Sequence, residues 1–460
     1  MKSLSINRST HGRLWGALAL FCFLCSCSKP ETLPPNLLLY VSDTLRADAL
    51  ACYGNTLVET PHIDQLAREG ALFENALAPS SWTRASMGAI LSGTMPAVHG
   101  AEGRYDLLED SVVLLSEMLK ARGYATANIT TNRNVGAFFG FDQGYDEGGF
   151  IELYAPSEDR MVSVRELTAR ADAATREAIA WLEKVSEPFC LIVHTVDPHS
   201  PYVPLPEWDR YGGQSKSTAT GTHDSLFALG KQRTQADVDR ILSLYYGEIA
   251  FNDSAFGSLI EWLREREFFD RTITIFTSDH GEEFWELGER GHGKTVNEKA
   301  LHVPLIIRYP ENVDRGRETG LVSLVDIVPT VLAMTGTEQP EWVDGRSFFE
   351  SARSEVFSSC FLGSREFITL RQDRWKLVLN LNQGTSTLFD MQGERGERRD
   401  VARQNKETAS ELTQAVRATL DAQRQKRLSL HGAERAPSVD ELPDEVERDL
   451  DGMGYFGEED

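Results

Sequence analysis

Four short, mostly apolar runs punctuate the chain: Leu37–Val41, Phe189–Val193, Thr272–Phe276 and Val303–Ile307. Runs of that length, rich in Leu, Ile and Val, predict strands buried on both faces and hence a mostly parallel sheet. Tyr124 to Thr130 adds a weaker fifth strand. Helical stretches lie between them. Thr60-Pro61 caps one that ends at Gly70. A second runs from Ser111 to Arg122 and stops at Gly123. Longer ones cover Arg165 to Lys184 and Val238 to Arg266. This alternation predicts an α/β fold, a large sheet with helices on both faces. The texture then changes. Arg371–Asn380 and Ser386–Asp390 read as a hairpin of a small antiparallel unit, and Lys406–Leu428 as a helix with Leu412, Val416 and Leu420 on one face. The expected organisation is a main domain over 35–365, a small α+β subdomain over 366–430 and a loosely held acidic tail over 431–460.

The amino end is an address rather than part of the fold. Lys2, Arg8 and Arg13 precede an apolar stretch, Leu14–Cys25, too short to span a bilayer. It ends in Leu24-Cys25-Ser26-Cys27, which resembles a bacterial lipoprotein cleavage box. The resemblance implies removal of residues 1–26 and lipid on the Cys27 thiol. Membrane attachment through lipidated Cys27 and a cell-envelope location follow, either the outer membrane or the periplasmic face. Cys52, Cys190 and Cys360 then remain, with neither a disulfide framework nor a thiolate cluster.

Charge narrows the partners. Seventy acidic residues against 47 basic ones give a formal net charge of -23. With no basic stripe, such a chain repels nucleic acid, which is excluded as a partner.

Candidate chemistry follows the strands directly. Ser42-Asp43 comes after the first, Thr131-Asn132 after the second, His194 to His199 after the third and Thr277-Ser-Asp279-His280 after the fourth. Sites in open α/β sheets form outside the carboxyl ends of strands, so these groups can converge. Taken singly, each has a plain structural reading: Asp43 could cap a helix, Thr83 could be an N-cap, His280 could be a satisfied buried group. Four metal-capable strand ends in one sheet are harder to explain that way.

Specific motifs add to this. Ala78-Pro-Ser-Ser-Trp-Thr83-Arg-Ala-Ser-Met-Gly-Ala-Ile-Leu-Ser-Gly93, followed by Thr-Met-Pro-Ala-Val-His99-Gly100, resembles the signature of the sulfatase family, a branch of the alkaline phosphatase superfamily. Thr83 holds the nucleophile position, where family members carry Cys or Ser; Ala85 replaces a Pro and Met87 an Arg. Asn36–Asp48 with Cys52-Tyr-Gly54, Asp197-Pro198-His199, Thr277–Glu282, Gly291-His292-Gly293, Val303-Pro304-Leu305 and Ser323–Thr330 fit the same family, in its order. The resemblance covers roughly Pro35 to Ala402. It implies an alkaline-phosphatase-like fold and a hydrolase of sulfuric or phosphoric esters.

By the same resemblance, Asp43, Asp279 and His280 hold one divalent metal ion, with Thr83 Oγ as fourth ligand. His199 and His292 become candidates for leaving-group acid or for contacts to the transferred group, and Asn132 and Lys294 for contacts and positive charge. The family's second adjacent carboxylate is Thr44 here, and His280 stands where typical members have Asn. Exchanging a carboxylate for an imidazole shifts the preference from calcium, still possible, towards manganese or zinc. A second ion would have to use Asp197, His199 and His292. Threonine is not a substrate for the formylglycine conversion of the main sulfatases, and Thr nucleophiles belong to superfamily branches that process phosphorus. The expected substrate is a small-molecule, glycan or lipid ester. A headgroup transferase and a catalytically silent glycan-binding lipoprotein are the alternatives.

Overall fold

The computed structural model describes residues 33–154, 170–213, 216–310, 316–393, 396–433 and 435–452. The leader, Cys27 and the first turns of the expected Arg165–Lys184 helix lie outside them. From Pro34 onward the chain forms one unit. Its strands are β1 (Asn36–Ser42), β2 (Ala71–Leu77), β3 (Ala125–Thr130), β4 (Phe150–Glu152), β5 (Phe189–Thr195), β6 (Thr272–Thr277), β7 (Glu283–Phe284), β8 (Arg290–Gly291), β9 (Leu305–Arg308), β10 (Gly316–Ser323), β11 (Glu355–Leu362), β12 (Arg365–Gln372), β13 (Trp375–Asn380) and β14 (Thr385–Asp390).

Eight strands make one sheet, in the order β10-β2-β9-β6-β1-β5-β3-β4. Only β9 runs against the rest, antiparallel to β2 and β6. The sequence explains why this sheet is buried on both faces. Alternate β1 side chains point oppositely, so Leu37, Leu39 and Val41 enter one hydrophobic cluster while Leu38 and Tyr40 enter another. β5 divides likewise, Cys190 and Ile192 against Leu191 and Val193. Neighbours β6, β1, β5 and β3 are mutually parallel. Their carboxyl ends therefore share one edge of the sheet.

The second sheet is antiparallel, β11-β12-β13-β14. Leu412, Val416 and Leu420 of the helix Lys406–His431 pack on its Ile368, Leu370, Leu377 and Leu379. Its first strand starts at Glu355.

Three expectations are corrected. The Ser111–Arg122 helix is only Leu115–Lys120, because Glu117 folds back to accept the Leu114 amide and so fixes the start there. Thr60 is the N-cap residue of the Pro61–Glu69 helix, as expected, but its side chain makes no capping hydrogen bond. Asp253, from a helix far along the chain, accepts the His62 and Ile63 amides instead. Residues 435–452 are not loose: Leu442, Val446 and Leu450 join the main core, the last two from a helix Asp444–Gly452. Their four-residue spacing puts them on one helical face, which the acidic composition obscures. Among the described residues no helix is long and apolar enough to cross a membrane.

Candidate active site

Asp43 follows β1 and the pair Asp279-His280 follows β6, adjacent parallel strands, so topology alone brings them together. One ligand atom from each lies within 4.8 Å of the others, and all three side chains are buried. Thr83 is the first residue of the fully buried helix Thr83–Ser92, with Trp82 as its N-cap. Thr83 is thus not the cap itself. Its hydroxyl sits at the positive end of the helix, where negative charge developing on oxygen is favoured. Thr83 Oγ1 lies 3.1 Å from His280 Nε2. The helix is pinned to the same loop by Ser86, whose hydroxyl donates to the Asp279 carbonyl at 2.6 Å.

The imidazole's protonation pattern can be derived. His280 Nδ1 is 3.0 Å from the Gly281 carbonyl, which can only accept. Nδ1 therefore carries the proton, and in the neutral ring Nε2 presents its lone pair to Thr83 and the two carboxylates. Asp279 Oδ1 accepts the amides of Thr44 and His280, at 3.2 and 2.8 Å. Asp43 Oδ2 accepts from the Asn132 side-chain amide, delivered by the end of β3. The other two carboxylate oxygens, Asp43 Oδ1 and Asp279 Oδ2, are buried with no hydrogen-bond partner. Buried anionic oxygens without donors are costly. Burial, then the nearby Asp279 charge, pushes the Asp43 carboxyl well above its usual range. An imidazole lone pair, a hydroxyl and two undonated carboxylate oxygens are together the donor set of a divalent cation. Thr44 is part of this geometry: its φ of +57° is unusual for a β-branched residue, a strain of the kind that gathers at functional sites. Its carbonyl accepts the Tyr245 hydroxyl at 2.8 Å.

Two further imidazoles line up behind the first. The His292 ring centroid is 4.5 Å from that of His280, and His199 is 4.8 Å from His292. Burial is the main cause that lowers both pKa values, that of His199 to about 3, so both rings are neutral. His199 Nδ1 donates to the Ser200 carbonyl at 2.5 Å, which leaves Nε2 as the acceptor nitrogen. Lys294 is half-buried, and its charge adds to the lowering at His292. The structure thus brings Thr83, Asp43, Asp279, His280, Asn132, His199, His292 and Lys294 to one edge of the sheet. Asp197 is employed elsewhere, its carboxylate accepting the Ala171 amide at the start of a helix.

Two neighbours were given no individual role from sequence. Glu282 is fully buried and holds His292 Nδ1 at 3.2 Å. His194, buried inside β5, feels the Asp279 charge. Glu282 had a signal, a carboxylate two residues beyond a metal-capable histidine. His194 was expected just after its strand among the metal-capable residues and instead lies within β5.

Residues 35–337 match the family model described as Sulfatase, and residues 288–426 that for the C-terminal part of N-sulphoglucosamine sulphohydrolase. The chain belongs to the sulfatase family. It is accordingly an ester hydrolase of the sulfatase type. N-acetylglucosamine-6-O-sulfatase of Bacteroides thetaiotaomicron is 26% identical over 429 residues, covering 75% of this chain and 76% of that protein. Arylsulfatase K of Gallus gallus is 24% identical over 481 residues, 89% of this chain and 87% of that protein. The same fold occurs in the phosphonate monoester hydrolase of Agrobacterium radiobacter, at a TM-score of 0.68 and 22% identity, covering 89% of this chain and all (100%) of that one. Against this sulfatase background, Thr83 and Met87 stand out. Met87, where an arginine is expected, is fully buried within the apolar core.

Proposed function

We propose that this sulfatase-family protein hydrolyses sulfate or phosphate esters through Thr83 as an unmodified nucleophile, with phosphate and phosphonate monoesters the better fit. The observation that carries this reading is the placement of Thr83 Oγ1 at a helix N-terminus, 3.1 Å from the lone-pair nitrogen of His280. Asp43, Asp279 and His280, with Thr83, would hold one divalent ion, manganese or zinc in preference to calcium. Such an ion acidifies the hydroxyl and polarises the ester. Thr83 Oγ then forms a bond to sulfur or phosphorus while the bond from that atom to the ester oxygen breaks, and the departing oxygen takes up a proton. Water releases the transferred group from Thr83 in a second in-line displacement. His199 Nε2, an acceptor in the neutral ring, is suited to taking the proton of that water. Burial raises the Glu282 carboxyl above its usual range; protonated, it donates to His292 Nδ1 and leaves the ring proton on Nε2, which gives it to the departing oxygen. Lys294 supplies positive charge to the transferred group, and Asn132 keeps Asp43 in place.

An unmodified threonine favours phosphorus. Its Cβ carries a methyl group, so it cannot become the aldehyde hydrate that releases sulfate by elimination. The names of glycan-active relatives support a small-molecule or glycan ester. The leader supports an envelope location with lipid on Cys27; palmitate label lost in Cys27→Ser would test it. The central experiment compares rates on aryl sulfate, phosphate monoester, phosphate diester and phosphonate monoester, with manganese, zinc and calcium supplied in turn. A phosphorus ester turned over fastest, and no turnover by Thr83→Ala, is the expected result; an active Thr83→Ala protein overturns the reading.

A further inference from the structure

Arg84 follows Thr83 in the first turn of the helix Thr83–Ser92, and its side chain is fully buried. Both placements are unfavourable for a cation. The amino end of a helix repels positive charge, and a buried guanidinium gives up its hydration. Hydrogen bonds to two loops offset these costs. Arg84 Nη1 donates to the Gly103, Arg104 and Asp106 carbonyls at 3.0, 2.5 and 3.3 Å. Nη2 donates to Asn134 Oδ1 at 2.8 Å and Nε to the Asn134 carbonyl at 3.3 Å. The Phe139 ring covers the guanidinium, its centroid 3.4 Å from Cζ.

Asn134 leads on to the metal ligands. Its backbone amide donates to Asn132 Oδ1 at 2.8 Å, and Asn132 Nδ2 donates to Asp43 Oδ2. A continuous run of hydrogen bonds therefore joins the residue beside Thr83 to a carboxylate of the candidate metal site. Asn134 Nδ2, buried, has no hydrogen-bond partner among the described residues. Leaving it so is costly, and the amide is held for its oxygen, which faces Arg84. The C-terminal segment braces both loops. The Leu107 amide donates to the Pro437 carbonyl at 2.8 Å and the Val439 amide to the Tyr105 carbonyl at 3.0 Å. Arg133, between the two asparagines, pairs with Glu445 at 3.3 Å and Asp449 at 3.6 Å.

We propose that Arg84 is a positioning residue for the reaction: it ties the helix that carries Thr83 to the loop that carries Asn132, and so fixes the Thr83 hydroxyl relative to Asp43. This rests on the reading of Thr83 as the reacting group and adds what sets its alignment. The task needs a planar fork. Nη1 meets one loop while Nη2 and Nε meet the other, a span that the single ammonium of lysine does not cover. Arg84 acts through its neighbours and not on the ester, so its loss should fall on kcat. A misplacement of about 1 Å costs about a hundredfold in rate.

The test compares the full-length parent with Arg84→Lys, Asn134→Ala and the double variant. On the ester turned over fastest, each single variant should lower kcat at least about tenfold, with KM within about threefold of the parent. The double variant should lie within about threefold of the slower single one, because both changes break the same link. Losses that multiply, losses carried by KM, or a parental kcat in either single variant overturn the proposal. Metal-free protein is also titrated with manganese chloride by calorimetry. Kd should rise at least about threefold in each single variant, through the looser Asn132; an unaltered Kd overturns the proposal. Partial misfolding lowers the binding stoichiometry and leaves Kd as it was, so the two are told apart. Turnover by Thr83→Ala would count against Thr83 as the reacting group, and the manganese titration would still decide whether Arg84 steadies Asp43.

Discussion

Thr83 Oγ1 and His280 Nε2 face each other at 3.1 Å, and in the neutral ring, whose Nδ1 proton goes to the Gly281 carbonyl, this nitrogen carries the lone pair. The hydroxyl is therefore held where its proton can leave and its oxygen can attack. Thr83→Ala should lower kcat about a thousandfold or more. Thr83→Ser, which keeps the oxygen, should stay within about tenfold of the parent. Thermal melts of both should match the parent within a few degrees, because the lost methyl and hydroxyl are small. Equal loss of activity in Ala and Ser variants would contradict the assignment.

Asp43 Oδ1 and Asp279 Oδ2 lack hydrogen-bond donors, so a cation that fills the site should stabilise the fold by mass action. At a hundred times its Kd, that amounts to about 2.7 kcal/mol. Manganese or zinc should raise Tm in the parent and not in Asp279→Asn, as calorimetry can show. Asn132 donates to Asp43. Asn132→Ala should weaken metal affinity about tenfold to a hundredfold, as removal of such outer hydrogen bonds does. Metal content after dialysis measures it.

Lys376 ties the small sheet to the loop following the site. It is fully buried and pairs with Glu298 at 2.9 Å and Glu397 at 2.8 Å. Glu298 opens the turn that follows His292 and Lys294. Lys376→Met would strand Glu397 and leave Glu298 with Arg371 at 3.6 Å, and breaking a buried pair in this way typically costs about 3–5 kcal/mol. Urea denaturation should show that loss. Adding Glu397→Gln should recover part of it, because the stranded charge is then gone.

Legibility in the sequence followed burial. β1, β5 and β6 were readable because both faces are covered and their central residues are apolar or threonine. β2 was not, since Glu74-Asn75 interrupts its pattern and leaves it looking like a loop. β10 was hidden because it begins with the polar run Gly316–Thr319 and shifts register between Glu318 and Leu321. The candidate metal ligands were legible because they sit immediately after readable strands. Glu282 was legible only as a carboxylate close to them: its contact with His292 depends on the hairpin that folds β8 back, and two-residue strands leave no periodicity to detect. Asp253 shows both sides. Its structural character could be read from its place in a helix, but its partners, the amides of His62 and Ile63, lie far back in the chain.

That same Asp253 gives the chain a pH-dependent stability. Burial raises its pKa from 3.8 to about 7, although the two amide donors work against the shift. In the unfolded chain the carboxyl ionises near its ordinary value, while in the fold it keeps its proton until about pH 7. Between those values the native state binds more protons than the unfolded one, so this group's contribution falls as pH rises. The contribution is fully present below about pH 4 and is used up above about pH 7. Asp253→Asn retains an oxygen for the two amides and removes the titration. The variant should therefore gain on the parent steadily between those limits, with a higher Tm at pH 8 and little difference at pH 4. A Tm difference between parent and Asp253→Asn that stays constant across the range would show that this carboxyl ionises equally in both states.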